Sequence, residues 1–338
     1  MVFARNQGLR VVYDPDNDTE EYTSEVDLVL VHGFAGDVIE TWTYKDDENS
    51  VFWPRDLLTH KRPQTRILSF GYEMGEMVTI RDCARTLLVY LSSHRGDDAN
   101  TRPIVFLVHC LGGLIIKQAL RFASKERIYS SIAAATKSIM FFGTPHGGGK
   151  KTQWLEIARR SKVQGSKCKI IDVLSRNTDD LMEIDEDFRQ LTTKYDIMNF
   201  FETRPMIGAK SLVVDKTSAN LTYSAEFQSL PVDADHISIC KFVDDVDPPF
   251  IEICRVIKEA VGIKANTKKA DVKGPVVVEA SIKEAVIKDI VIKGLMIREV
   301  GIEGVALNAK GQDVLALEEV ETLQASQLAP RQRLLEFF

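Results

Sequence analysis

Cys110 is the residue best placed for chemistry. It lies in Val105-Phe106-Leu107-Val108-His109-Cys110-Leu111-Gly112-Gly113-Leu114, where an apolar run gives way to the amphipathic pattern LIIKQALRFA. A strand turning sharply into a helix, with small residues around the turn, leaves one side chain exposed at the top of a sheet. The pattern for such a turn is G-x-S-x-G; here Val108 stands at the first glycine and Cys110 at the serine. A thiol at a helix N-terminus can act as a nucleophile, because the helix end favours its ionised form. The first helical N–H, that of Leu111, would face a developing oxyanion. Gly112 and Gly113 leave room for the neighbouring strand. The plainer alternative is a core cysteine at a strand end.

A nucleophile of this kind needs a base, and the base needs an orienting acid. Two histidines follow Cys110 in the chain, His146 and His236. His236 lies in the acidic loop Asp233-Ala234-Asp235-His236. His146 lies in Thr144-Pro145-His146-Gly147-Gly148-Gly149 and reads as a loop-shaping or pocket-edge residue. Glu202 directly follows the apolar run IMNFF and is the first candidate acid. Asp215, after SLVV, is the alternative, and Asp172 comes third.

These residues need elements to hold them. VDLVLV (26–31), RILSF (66–70), PIVFLV (103–108), SIMFFG (138–143), IMNFF (197–201) and SLVV (211–214) read as buried strands. They are apolar throughout rather than alternating, and helical patterns separate them. That combination predicts an α/β fold with a mainly parallel sheet covered by helices on both faces. Candidate residues then fall at the carboxyl ends of strands, where such sheets bind ligands. Trp42, Trp53 and Phe141–Phe142 would line a pocket or, more simply, fill the core.

Eight segments, VHGFAGDVIETWTY (31–44), VFWPRDLL (51–58), RILSFGY (66–72), VHCLGGLIIKQAL (108–120), FFGTPHGG (141–148), FFETRP (200–205), VVDKTSA (213–219) and DADHISICKF (233–242), resemble in order the DUF676-like, serine-active-site-containing α/β-hydrolase family of lipases and esterases. They are most similar to fungal members found at the N-terminus of NACHT or ankyrin-repeat proteins. The resemblance implies an α/β-hydrolase fold over 8–261 and the order nucleophile, acid, histidine. It therefore implies a triad of Cys110, Glu202 (alternatively Asp215) and His236. It also implies a second oxyanion donor at the N–H of Phe34, on the His32-Gly33-Phe34 loop. His32, Gly33, His109, Gly112, Gly113 and His146 would support the site. The family carries Ser where this chain carries Cys110.

The resemblance, together with these residues, implies two functions. One is a lipase- or esterase-like acyl hydrolase, or acyltransferase, acting on ester, thioester or lipid-like substrates. The other is a hydrolase-fold interaction or signalling module without turnover, related to the N-terminal domains of fungal immune-type receptors.

Composition narrows the rest. The chain has 338 residues, a net charge of −6, 44% apolar and 27% charged residues, which is globular rather than disordered. Mild acidity argues against nucleic acid as a partner. Five cysteines without a CxxC pair exclude a disulfide scaffold and point to a reducing compartment. No H-E-x-x-H, phosphate loop or dinucleotide fingerprint stands in a suitable position, so neither a metal nor a cofactor is expected. No signal peptide or membrane span is visible. An intracellular, cytoplasmic setting is the expectation, with peripheral contact to a membrane, mitochondrion or endoplasmic reticulum implied by the family.

After a linker over 262–271, apolar residues recur every five positions at Val272, Val277, Ile282, Ile287, Ile292, Ile297, Ile302 and Leu307. Period five fits neither a single helix face nor one strand. The segment 272–323 reads as a short β-solenoid or as helices, with self-association as a further expectation, and 324–338 as a flexible tail.

Overall fold

The computed structural model describes residues 7–74, 78–96, 101–160, 169–174, 179–221 and 227–268, with short stretches at 288–292, 295–299, 306–307 and 313–315. The chain divides into two units, Met1–Ala265 and Asn266–Phe338.

The first unit is built on a seven-stranded sheet: β1 (Gly8–Tyr13), β2 (Val26–Val31), β3 (Thr65–Gly71), β4 (Ile104–His109), β5 (Thr136–Phe142), β6 (Asp196–Glu202) and β7 (Gln228–Val232), in the order β1-β3-β2-β4-β5-β6-β7. β1 runs antiparallel to β3, and every other pairing is parallel. All six residues of β2 and of β4 are buried, which explains why these strands do not alternate in polarity. Leu28, Leu30, Val105 and Leu107 pack on one face; Val29, Val31, Phe106 and Val108 pack on the other.

Helices cover both faces. α1 (Ile80–Arg95) starts on a reciprocal cap between Thr79 and Asp82 and buries Cys83, Leu87, Leu88 and Leu91. α2 (Leu111–Lys125) follows β4 directly and is buried along most of its length. α3 (Lys151–Arg160) and α4 (Asp179–Arg189) come between β5 and β6. α5 (Pro248–Lys268) covers the other face through Phe250, Ile253 and Ile257. At the amino end of β2, the carboxylate of Asp27 is fully buried and held by Arg95 and Arg102.

Three sequence expectations change. SLVV (211–214) is not a strand: the backbone there turns its N–H groups toward Glu202, so it cannot join a ladder. The seventh strand is instead β7, whose residues are exposed along most of its length and which includes Pro231 at the sheet edge. α5 continues through Lys268, so 262–268 of the expected linker is helical, with no proline to stop it.

In the second unit, Lys288–Ile292 pairs antiparallel with Leu295–Glu299, setting Ile290 opposite Ile297, and Ala306–Leu307 pairs with Asp313–Leu315. The rest of 272–323, and all of 324–338, lie outside the described residues.

Candidate active site

Cys110 is the residue between β4 and α2. Its backbone has φ 52° and ψ −120°, a left-handed conformation that costs a non-glycine residue of the order of 1–3 kcal/mol. Two bonds hold it there. Its N–H donates to the carbonyl of Phe142 at 2.9 Å, and its carbonyl accepts from Gly113 at 3.1 Å. The turn also demands its glycines. A Cβ on Gly112 would lie 2.5 Å from the Val31 carbonyl oxygen and 2.6 Å from that of His32. A Cβ on Gly33 would lie 2.7 Å from both the Cβ of Cys110 and Nδ1 of His109. The loop after β2 thus passes directly against the elbow. It turns through Ala35, at φ 58°, closed by Gly36 N–H to the Gly33 carbonyl at 3.0 Å.

His236 lies in the loop after β7. Its Nδ1–H donates to Oε2 of Glu202 at 2.6 Å, and both side chains are almost wholly buried. The other oxygen of Glu202 accepts the N–H groups of Val213 at 2.7 Å and Val214 at 3.1 Å. Gly143, at φ +53°, leaves space for this pair; a Cβ there would sit 3.2 Å from Nδ1 of His236. Nε2 of His236 is buried without a partner at full hydrogen-bond geometry. Cys110 is nonetheless near enough to raise the ring's proton affinity. A loose contact of this kind is ordinary before a substrate closes a site. Burial opposes a charge on this imidazole, but Glu202 first and Cys110 second outweigh it, and the pKa is pushed up to about 10.

Asp215 is placed elsewhere. Its carboxylate accepts the Ser218 N–H at 3.0 Å and caps the short helix Lys216–Ala219. Asp172 is exposed and paired with Lys151. Of the three candidate acids, Glu202 is the one the fold brings to His236.

Three further histidines, His32, His109 and His146, are buried, and burial disfavours a charge on each. His32 stacks on Tyr72 with ring centroids 4.3 Å apart. Its Nδ1–H donates to the Gly33 carbonyl at 2.8 Å, and its Nε2 accepts the Tyr72 N–H at 3.3 Å. Burial holds its pKa down at about 4. His146 donates its backbone N–H to Ser218 at 2.8 Å and sets its ring edge-on to Phe141, so it shapes the loop after β5. Burial also pushes its pKa well below the usual range. Trp42 and Trp53 are core residues in edge contact, with Nε1 of Trp53 donating to the Cys240 carbonyl.

Trp154 was missed at the sequence level. Its ring meets His236 at 5.8 Å, nearly perpendicular, while its Nε1–H donates to the Leu174 carbonyl at 2.8 Å. α3 thereby packs a wholly buried aromatic against the imidazole. Its place on the helix following the glycine-rich loop at the end of β5 was the available signal.

Among the described residues no cluster of three or more His, Cys, Asp or Glu is arranged to hold a metal ion, and no helix is long and apolar enough to cross a membrane.

No family model matches the chain. It is similar to Protein SERAC1 of Homo sapiens, 27% identical over 242 residues covering 64% of this chain and 36% of that protein. It is similarly related to Protein SERAC1 of Danio rerio, 28% identical over 244 residues with the same coverage. The chain therefore spans about a third of the length of these curated relatives. Among solved structures it resembles phospholipase PlaB from Legionella pneumophila, with a TM-score of 0.51, 13% identity and coverage of 87% of this chain and 72% of that one. The likeness is one of fold: the chain has the α/β-hydrolase fold, with a mainly parallel sheet and helices on both faces.

Proposed function

We propose that this chain is an acyl hydrolase that acts through a Cys110–His236–Glu202 triad on carboxylic esters or thioesters, lipid-like ones included. One observation carries the reading. A cysteine held at positive φ on a helix N-terminus shares its surroundings with a buried histidine whose other nitrogen is bound to a buried carboxylate at 2.6 Å.

In the first half-reaction the Cys110 sulfur attacks the acyl carbonyl carbon. Nε2 of His236, whose proton affinity is raised, holds the proton that Cys110 gives up, and Glu202 stabilises the imidazolium. The N–H groups of Leu111 and Phe34 would hold the oxyanion. The bond to the leaving alcohol or thiol breaks, and that group takes the proton from His236. In the second half, water gives a proton to His236 and attacks the thioester carbon; the carbon–sulfur bond breaks, Cys110 recovers a proton and the acid leaves.

The test is a panel of acyl esters and acyl thioesters, with mass spectrometry of Cys110. Wild type should turn over and carry a trapped acyl group on Cys110. C110A should do neither, and C110S should retain a reduced rate. Unchanged turnover in C110A would reject Cys110 as the nucleophile. The absence of turnover and of Cys110 acylation in wild type across the panel would favour the interaction-module reading, for which the thiol in place of serine and the 1% exposure of Cys110 speak.

A further inference from the structure

His109 is adjacent to Cys110 in sequence, yet its side chain bonds a loop far along the chain. Its Nε2 lies 2.8 Å from the backbone carbonyl oxygen of His236, a contact across 127 positions. A carbonyl can only accept, so Nε2 carries the proton and Nδ1 the lone pair. Nδ1 is buried without a partner, facing Gly33. The two imidazoles lie 5.0 Å apart. Burial first, then the nearness of His236, pushes the pKa of His109 well below its ordinary value. The ring therefore stays neutral and keeps its Nε2–H as a donor across the working pH range.

The loop bearing His236 is tied to other elements on either side of that residue: the Ala234 carbonyl accepts the N–H groups of Thr203 and Arg204, and the Cys240 carbonyl accepts Nε1–H of Trp53. Asp235 accepts the N–H groups of Ile237 and Ser238, and Ile239 N–H returns to the Asp235 carbonyl. Glu202 fixes the orientation of the His236 ring through Nδ1, but it does not fix the height of the backbone from which that ring hangs. Between the Ala234 and Cys240 tethers, the carbonyl of His236 itself is bonded by the side chain next to the nucleophile.

We infer that His109 is a positioning residue that sets the distance between nucleophile and base, by donating Nε2–H to the peptide carbonyl of His236. One peptide unit and one hydrogen bond then connect Cys110 to His236, so a shift of either is transmitted to the other. The inference rests on the Cys110–His236 reading. It predicts a specific order among substitutions. Glutamine places its amide nitrogen three bonds from Cβ, as far as Nε2 of histidine. Asparagine places it one bond short, and phenylalanine keeps a ring without a donor.

The experiment measures hydrolysis of p-nitrophenyl butyrate and of a butyryl thioester by H109Q, H109N, H109F and C110A, together with the rate of Cys110 alkylation by iodoacetamide read by mass spectrometry. H109F and H109N should lose roughly ten- to hundredfold in kcat with KM little changed, and should alkylate at an altered rate. H109Q should recover most of both. If H109F does not fold, as judged by its thermal unfolding, H109N against H109Q gives the same comparison. A fall of H109Q equal to that of H109F or H109N, or wild-type rates in all three, overturns the positioning role while C110A is inactive. Full activity in C110A overturns instead the triad reading on which the role depends.

Discussion

Glu202 satisfies three donors with two oxygens, two backbone N–H groups at Oε1 and the imidazole at Oε2. Replacing one oxygen by an amide nitrogen must set an N–H against one of those donors. E202Q should lower kcat/KM roughly a thousandfold or more, as removal of an orienting acid does elsewhere, and the His236 imidazole should lose most of its raised proton affinity, measurable by NMR titration of the ring. D215A gives the contrast. Asp215 caps a four-residue helix, so its loss should cost about 1 kcal/mol of stability and change kcat by less than about twofold. A D215A variant as inactive as E202Q would reassign the acid. The choice between these carboxylates could not be made from spacing. Both follow apolar runs, and only the folded loop shows that the second run donates its N–H groups to the first carboxylate.

At the scale of elements, the decisive contact is between α2 and the end of β2. Two carbonyl oxygens of the loop at Val31 and His32 fill the space where a side chain at Gly112 would go. Neither can yield without moving the strand that leads to Phe34. G112A should therefore cost about 3 kcal/mol or more, seen as a lowered urea midpoint, and should disturb the elbow with it. Gly262, in α5, has nothing within 4 Å of its position; G262A should stabilise by roughly 0.5–1 kcal/mol through helix propensity alone. Equal and opposite failure of this pair, with G112A neutral, would mean that α2 can slide.

The same contrast explains what was legible. β2, β4 and β5 announce themselves because burial on both faces forces continuous apolar runs. β7 does not, because an edge strand with exposed residues and a proline carries no such pattern. Cys110 and His236 were legible from local motifs. The His109 clasp and the Trp154 contact were not, because each joins residues dozens of positions apart whose types allow many other partners.

Across the whole molecule, the buried histidines set opposite demands on pH. His32, with its folded pKa held at about 4 against 6.5 when unfolded, stays neutral in the fold while the unfolded chain takes up a proton. His109 and His146 are shifted in the same direction. Between pH 6.5 and 4 the unfolded state therefore binds more protons, and stability falls as pH falls; His32 alone accounts for about 3 kcal/mol by pH 4. His236 works the other way. Its folded pKa of about 10 lies above the unfolded value, so its contribution is complete below 6.5 and is lost as pH rises through 10. Stability should peak near neutrality and decline on both sides. Urea unfolding from pH 4 to 10 should trace that dome. H32Q, which removes one buried proton-refusing ring, should flatten the acid limb, whereas E202Q should flatten the alkaline limb and leave the acid one in place. An acid limb unchanged by H32Q would mean that His32 is solvated and protonated in the fold, and that the stacked contact with Tyr72 opens below neutrality.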